Sequence, residues 1–184
     1  MRIITGSARG MTLISPKGDV VRPTTEMAKE GMFSSIQFDI PGARVLDLFS
    51  GSGQLGLEAL SRGASFAVFC DADADSVAVT RQNATKTGFL DRCRILRSEY
   101  GEYLKAAGKA GEKFDFVFVD PPYGKNLIAE VVKRTVKNGI LHPGAALLCE
   151  TDDPELSEEL EAQEGVESVK RYKYGKTFVY LVRV

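Results

Sequence analysis

The sequence predicts a mostly parallel α/β sheet that ends in an antiparallel hairpin. Between residues 44 and 150, short apolar segments alternate with segments of helical periodicity, the pattern of βαβ units with right-handed crossovers. The segment 114–119 (FDFVFV) is largely apolar on both faces, as expected of a strand that helices cover on both sides. Residues 166–174 and 177–184 alternate around Gly175-Lys176, which indicates an added β-hairpin.

The other elements follow from local patterns. Residues 2–5 and 11–15 flank a turn at 6–10 and predict a small N-terminal β element, and a helix is predicted from Thr24 or Thr25 to about residue 38. The predicted strands of the main sheet are 44–49, 66–70, 94–97, 114–119 and 145–150. The predicted helices are 54–62, 74–88, 99–107, 126–137 and an acidic one near 154–163. We expect one compact domain in which residues 1–40 extend the unit formed by residues 41–184.

Composition is that of a globular protein of 184 residues, with 43% hydrophobic and 27% charged residues. We find no apolar run of membrane-spanning length and no signal-peptide pattern, so we expect a cytoplasmic protein without a membrane partner. The three cysteines (Cys70, Cys93 and Cys149) have no metal-like spacing, and we expect them to be buried, reduced thiols. We also expect a monomer rather than an oligomer.

The net charge of −1 conceals an uneven distribution. Residues 150–164 hold eight of the 25 acids and no Lys or Arg, which indicates a solvated helix face and leaves 17 acids against 24 basic residues elsewhere. The basic residues near the two ends are Arg2, Arg9, Lys17, Arg22, Lys29, Lys170, Arg171, Lys173, Lys176 and Arg183. If the two ends share a face, an anionic polymer has a place to dock.

A strand, a glycine turn and a helix follow one another in the segment 45–60 (VLDLFSGSGQLGLEAL) and predict a ligand site at the carboxyl end of a parallel strand. Gly51, Gly53 and Gly56 fit the dinucleotide spacing G-x-G-x-x-G, and Asp71 lies 20 residues beyond Gly51. Asp47, at the end of the strand, argues against a pyrophosphate. A buried carboxylate there suits a cationic ligand such as S-adenosylmethionine, which carries a sulfonium and an α-ammonium group.

The run Asp120-Pro121-Pro122-Tyr123 ends another apolar strand at the same sheet edge. Two prolines remove N–H donors and stiffen the turn, so the Asp120 carboxylate and a Pro121 carbonyl can accept hydrogen bonds from one amino group. The Tyr123 ring can stack on the base that carries this amino group. These two acceptors would direct the nitrogen lone pair at an activated methyl group, a reaction that requires no metal.

Further cofactor contacts are expected at the ends of the other strands. Asp71 is placed to accept from ribose hydroxyls, and Glu99, with Ser98 beside it, from the adenine amine. The complete set of candidate cofactor residues drawn from these strand ends is Asp47, Phe49, Ser50, Gly51, Gly53, Asp71, Ser98, Glu99 and Asp120. We interpret Asp73 as a helix-start acid, Asn83 as bonding locally on its helix and His142 as a turn residue.

The chain resembles, over nearly its whole length, the RsmD family of 16S rRNA guanine-N2 methyltransferases. The matching segments are MRIITG, RPTT with Glu30 and Phe33 following, VLDLFSGSGQLGLEALSRGA, DPPY and YGKT. Here Glu26-Met27-Ala28-Lys29 follows RPTT, where the family usually carries further arginines.

The resemblance implies a Rossmann-like, seven-stranded methyltransferase fold with S-adenosylmethionine as the methyl donor. The implied substrate is 16S rRNA, within the small ribosomal subunit or an assembly intermediate. It further implies that Thr24 or Thr25 helps to hold the methionine carboxylate. The implied RNA contacts are Arg2, Arg9, Arg22 and Tyr123, which makes residues 1–40 the RNA- and cofactor-contacting extension of the catalytic domain.

Two other function classes remain open from the sequence. The first keeps the fold and changes the substrate to a DNA adenine N6 or a protein glutamine. The second is an NAD-binding oxidoreductase or a nucleotide-binding module, which would leave the Asp-Pro-Pro-Tyr run without a role.

Overall fold

A computed structural model of the chain describes residues 1–16, 26–122 and 127–184. Its helices are α1 Glu26–Ser34, α2 Gln54–Ser61, α3 Ala74–Lys86, α4 Tyr100–Lys109, α5 Ile128–Lys137 and α6 Ser157–Glu161, with a short 3-10 helix at Leu90–Arg92. Its strands are β1 Arg44–Asp47, β2 Phe66–Asp71, β3 Cys93–Arg97, β4 Phe114–Val119, β5 Leu141–Thr151, β6 Ser168–Tyr174 and β7 Thr177–Arg183.

The seven strands form one sheet in the order β3-β2-β1-β4-β5-β7-β6. The first five pair in parallel and β7 pairs antiparallel with β5 and β6, which confirms the predicted parallel sheet with a C-terminal hairpin. Because β1 lies between β2 and β4, the turns after these three strands meet at one edge of the sheet. Asp47 pairs in register with Phe69 and Phe118, the residues two positions before Asp71 and Asp120.

Apolar side chains cover both faces of this sheet, as the apolar strands predict. One buried cluster includes Phe33, Phe69 and Phe118 under helices α1 and α2. The other includes Val117 and Tyr180 on the opposite face. The three cysteines all lie on strands; two are buried, and Cys93 is only partly so.

The N-terminal β element is smaller than predicted. Arg2 and Thr12 form a single antiparallel bridge, without extended strands at 2–5 and 11–15. Backbone bonds such as Ile3 N–H to the Met11 carbonyl at 3.0 Å still join its two arms. Other amides of the segment bond to helix side chains of the main domain: Glu58 accepts from Ile4 and Thr5.

Several further boundaries differ from the prediction. Helix α1 ends at Ser34 and not near residue 38, β1 ends at Asp47, and α6 is confined to Ser157–Glu161. His142, predicted in a turn, is an exposed residue of β5, which begins at Leu141. The β4–β5 ladder shifts register between Phe114 and Phe116, and such an irregularity accommodates the Pro143-Gly144 pair inside a strand.

Each helix in the described ranges is too short or too polar to cross a membrane.

Candidate active site

A cavity of about 580 Å³ opens at the carboxyl ends of β1, β2 and β4. Its size is typical of sites for small molecules and cofactors. The predicted site residues in its wall are Asp47, Phe49, Ser50, Gly51, Asp71, Ser98, Glu99, Asp120 and Pro122. Residues that the sequence placed on separate turns therefore surround one space.

The glycine turn forms one side of the cavity. Gly53 is the N-cap residue of α2 and has φ +78°, a conformation that an L side chain rarely adopts, so a glycine is needed to form this turn. A Cβ on Gly56 would lie 2.3 Å from the Phe69 ring, so this glycine allows α2 to pack closely on β2. The G-x-G-x-x-G spacing thus serves the turn and the helix packing, and it does not by itself select a dinucleotide.

Asp47 is the most buried carboxylate of the cavity wall, with 2% of its surface exposed. One of its oxygens accepts from the Gly56 amide at 2.9 Å. Burial raises the pKa of Asp47 from 3.8 to about 7, the Gly56 hydrogen bond opposes this shift, and the charges of Asp120 and Asp71 add to it. A cation bound beside Asp47 would favour its ionised form.

Asp71 is the last residue of β2 and joins two turns. Its two carboxylate oxygens accept from the Gly51 amide at 2.8 Å and from the Asp73 amide at 2.9 Å. Since each carboxylate oxygen has a second lone pair, Asp71 can still accept from two hydroxyls. Asp73 caps α3 by accepting from the Ser76 amide at 2.8 Å, which confirms its predicted role as a helix-start acid.

Asp120 lies directly after β4 and is half-buried, close enough to Asp47 to raise its pKa. Pro121 is buried beneath the cavity wall, and Pro122 is an exposed part of that wall. Tyr123, the fourth residue of the predicted catalytic run, lies outside the described residues, as do Thr24, Thr25 and Arg22.

Comparison with known proteins assigns the family. A family model described as "Conserved hypothetical protein 95" matches residues 1–183. The ribosomal RNA small subunit methyltransferase D of Escherichia coli (strain K12) is 36% identical over 154 residues, which are 83% of this chain and 75% of that protein. The protein of the same name from Haemophilus influenzae is 32% identical over 153 residues, which are 83% of this chain and 79% of that protein.

The chain belongs to the RsmD family. It is therefore a methyltransferase, as the resemblance implied. Among solved structures, the Escherichia coli protein yhhF superposes with a TM-score of 0.84 at 29% identity, over 100% of this chain and 97% of the other. This likeness confirms the predicted Rossmann-like fold.

The cavity wall also contains residues that the sequence did not identify as site residues. Tyr100 lies in the wall beside Phe49, with ring centroids 5.4 Å apart, so two aromatic rings flank the region of Ser98 and Glu99. The sequence signal that could have identified Tyr100 is its position directly after Glu99. Met1 and Pro16 also line the cavity, and nothing in the local pattern of the N-terminal segment indicates this.

Two of the predicted RNA contacts, Arg2 and Arg9, lie outside the cavity wall. Arg2 is exposed and forms an ion pair with Glu26 of α1 at 2.9 Å, and Arg9 is exposed. The side chain of Arg2 therefore has a carboxylate partner that a phosphate would have to replace.

The basic residues of the two ends do not share one face of the sheet. Lys29 of α1 is buried beside Glu58. Arg171 and Lys173 of β6 lie over the Phe178 ring, which packs on the cluster opposite the α1 face. These residues therefore do not meet the condition for a single docking face.

Proposed function

We propose that this RsmD-family protein transfers a methyl group from S-adenosylmethionine to the exocyclic N2 of a guanine in 16S rRNA. The substrate would be met within the small ribosomal subunit or an assembly intermediate. The observation that carries the proposal is the approach of Asp47 and Asp120 in the wall of one cavity. One carboxylate suits a cationic methyl donor, and the other suits the amino group that receives the methyl.

The cavity wall fits S-adenosylmethionine. Asp47, whose carboxyl is buried, would face the positive charge of the methyl donor, Asp71 would accept from the ribose hydroxyls, and Glu99 with Ser98 would accept from the adenine amine. Phe49 and Tyr100 supply aromatic surface on the same side as Glu99. When bound, S-adenosylmethionine supplies a methyl group already activated by its sulfonium.

The acceptor side is assigned to the Asp120-Pro121-Pro122 turn. The Asp120 carboxylate and the Pro121 carbonyl would accept from the two N2 hydrogens of a guanine and orient its lone pair. As the new N–C bond forms and the C–S bond breaks, Asp120 stabilises the developing ammonium and accepts its proton, or passes it to water. The guanine must be turned out of its local RNA structure to reach this turn.

Incubation with labelled S-adenosylmethionine and 30S particles from a methyl-deficient strain tests the proposal, with nucleoside mapping of the digested RNA as the readout. We expect the label in N2-methylguanosine. Label only in another nucleoside, in DNA adenine or in a protein glutamine would overturn it. The Asp120→Ala variant serves as the inactive control.

Asp71→Ala is expected to weaken binding of S-adenosylhomocysteine by ~10–100-fold, the usual effect of losing one or two hydrogen bonds to a charged group. The variant also loses the two backbone bonds that join the Gly51 and Asp73 turns. Isothermal titration measures the dissociation constant, and Asp75→Ala, an exposed acid on the first turn of α3, is the matched control. A change of less than threefold for Asp71→Ala would contradict its assignment.

Binding of S-adenosylmethionine is expected to release protons near pH 7, because a cation next to Asp47 lowers the raised pKa of this group. Titration calorimetry at pH 6.5 in two buffers of different ionisation enthalpy measures the release. We expect a sizeable fraction of a proton for the native protein and none attributable to residue 47 in Asp47→Asn.

Without ligand, Asp47→Asn is expected to increase the stability of the protein at alkaline pH. The folded protein keeps a proton on Asp47 up to about pH 7, whereas the unfolded chain ionises it near 3.8. The contribution of Asp47 to stability is therefore greatest at acid pH and is lost as pH rises through 7. At pH 8 and without ligand, Asp47→Asn should be more stable than the native protein, by up to ~4 kcal/mol for three pKa units. An unchanged urea midpoint at pH 8 would show that Asp47 ionises normally.

A further inference from the structure

Helix α3 presents a row of three polar side chains to the glycine turn and the N-terminal segment. Thr80, Asn83 and Lys86 are spaced three residues apart and so lie along one helix face. Thr80 Oγ1 donates to the Gly51 carbonyl at 2.9 Å, and Lys86 Nζ donates to the Thr12 carbonyl at 2.6 Å. One end of the row therefore holds the glycine turn and the other holds the N-terminal segment.

Asn83, in the middle of the row, binds both segments at once. It is fully buried, and its Oδ1 accepts from the Ile14 amide at 2.8 Å. Its Nδ2 donates to the Ile14 carbonyl at 2.9 Å and to the Ser52 carbonyl at 2.8 Å. The local helix bond expected from the sequence is thus wrong, because tertiary partners take up both polar ends of this amide.

The chemistry of these three contacts fits an asparagine closely. A primary amide offers acceptor lone pairs on one atom and two N–H donors on the other, matching one amide and two carbonyls. Because the site is buried, any bond that is lost leaves a polar group without water to replace the partner. The distance between Ile14 and Ser52 is therefore tied to one side chain.

The two segments that Asn83 joins both contribute to the cavity wall. Ser52 belongs to the glycine turn, whereas Met1 and Pro16 belong to the N-terminal segment. The two segments also contact each other directly, since Ser52 Oγ donates to Met1 Sδ at 2.9 Å. Asn83 itself lies behind the wall, so its effect on a ligand must pass through these neighbours.

We propose that Asn83 is a positioning residue that couples the cofactor cavity to the N-terminal segment of residues 1–16. A ligand that fixes the glycine turn also fixes Ser52, and Asn83 passes this restraint to the backbone of Ile14. By thermodynamic reciprocity, a partner that holds the N-terminal segment tightens ligand binding by the same factor. The inference rests on the proposed use of S-adenosylmethionine and is independent of which RNA is methylated.

Hydrogen exchange tests the coupling with S-adenosylhomocysteine as the probe. In the native protein, saturating ligand is expected to slow amide exchange at least fivefold in peptides from the glycine turn and in peptides covering residues 1–16. In Asn83→Ala, the glycine-turn peptides should still be protected at saturation, while the ligand-dependent protection around Ile14 is lost. Peptides near Met1 and Ile4 keep their own contacts with Ser52 and Glu58. The dissociation constant should rise about tenfold.

Two further variants keep the test decisive. Gln82→Ala changes an exposed neighbour on the same helix and should behave as the native protein. Ile14→Pro removes the amide N–H that donates to Asn83 Oδ1, and the Ile14 side chain is 42% exposed. This variant should uncouple the segment as Asn83→Ala does. It keeps the test available if Asn83→Ala fails to fold. In steady state, both uncoupling variants should raise KM for S-adenosylmethionine and change kcat less than threefold.

Ligand-dependent protection around residue 14 that persists in a folded Asn83→Ala or Ile14→Pro protein would overturn the coupling. Failure of the proposed substrate is a separate outcome. A native protein that transfers no methyl group to 30S particles, yet shows ligand-dependent protection that these variants abolish, retains the coupling and loses the substrate assignment.

Discussion

Asp120→Ala is expected to lower turnover on 30S particles by ~10²–10⁴-fold, the range observed when a group that stabilises transition-state charge or transfers a proton is removed. The physical reason is that the variant can neither hold the guanine amino group nor balance the charge that develops on its nitrogen. Binding of S-adenosylhomocysteine should change less than threefold, because the ribose and adenine acceptors remain. Single-turnover kinetics and calorimetry measure the two quantities separately.

Two companion variants sharpen this experiment. Asp120→Asn keeps one oxygen acceptor and loses the charge, so an intermediate rate would assign part of the effect to hydrogen bonding and part to charge. Asp91→Asn, in the exposed 3-10 helix, is the matched control and should be fully active. If Asp120→Ala retained more than a third of the native rate, the assignment of the acceptor side to this turn would be wrong.

Glu58→Gln is expected to destabilise the protein by ~3–5 kcal/mol, the usual result of removing one partner of a buried ion pair. Glu58 is fully buried and lies 2.8 Å from Arg62 Nε and 3.6 Å from Lys29 Nζ. It also accepts from the Ile4 amide at 2.7 Å and the Thr5 amide at 3.0 Å. The isosteric variant keeps the volume and leaves two cations without their anion.

The loss of stability in Glu58→Gln should become smaller as pH rises. Burial lowers the pKa of Lys29, and Glu58 opposes this shift, so the pKa of Lys29 falls further in Glu58→Gln. Since the folded variant then binds fewer protons than the unfolded chain at alkaline pH, its stability deficit should shrink as pH rises. Urea unfolding from pH 7 to 10 measures this, with Glu30→Gln, an exposed acid of α1, as the control. A deficit that stays constant would show that Lys29 is not the group left uncompensated.

The grouping of three carboxylates around the cavity could be predicted because the carboxyl ends of parallel strands lie at one edge of a sheet. Asp47, Asp71 and Asp120 each follow or end an apolar strand, and once these strands are neighbours their carboxylates must come together. The glycine turn carries its own signal, since strand, turn and helix are contiguous in the chain. The local sequence pattern was therefore sufficient to predict those cavity residues whose place is fixed by their position along a strand.

Contacts between distant segments could not be predicted in the same way. Asn83, Glu58 and Lys29 read as ordinary polar residues of amphipathic helices, and only the docking of the N-terminal segment and α1 makes these faces buried. The N-terminal partners of Glu58 and Asn83 lie 53 to 69 residues away along the chain. Helical periodicity reports which residues share a face, but not whether another segment will cover that face.

The position of these partners has a consequence for the order of folding. Residues 3–14 are synthesised before α2 and α3, yet Glu58 and Asn83 on those helices complete their hydrogen bonds. Closing such long loops is slow, and the segment cannot dock until the helices have packed on the sheet. During synthesis it must therefore wait for the domain to form behind it, and on mild denaturation it should be among the first parts to detach.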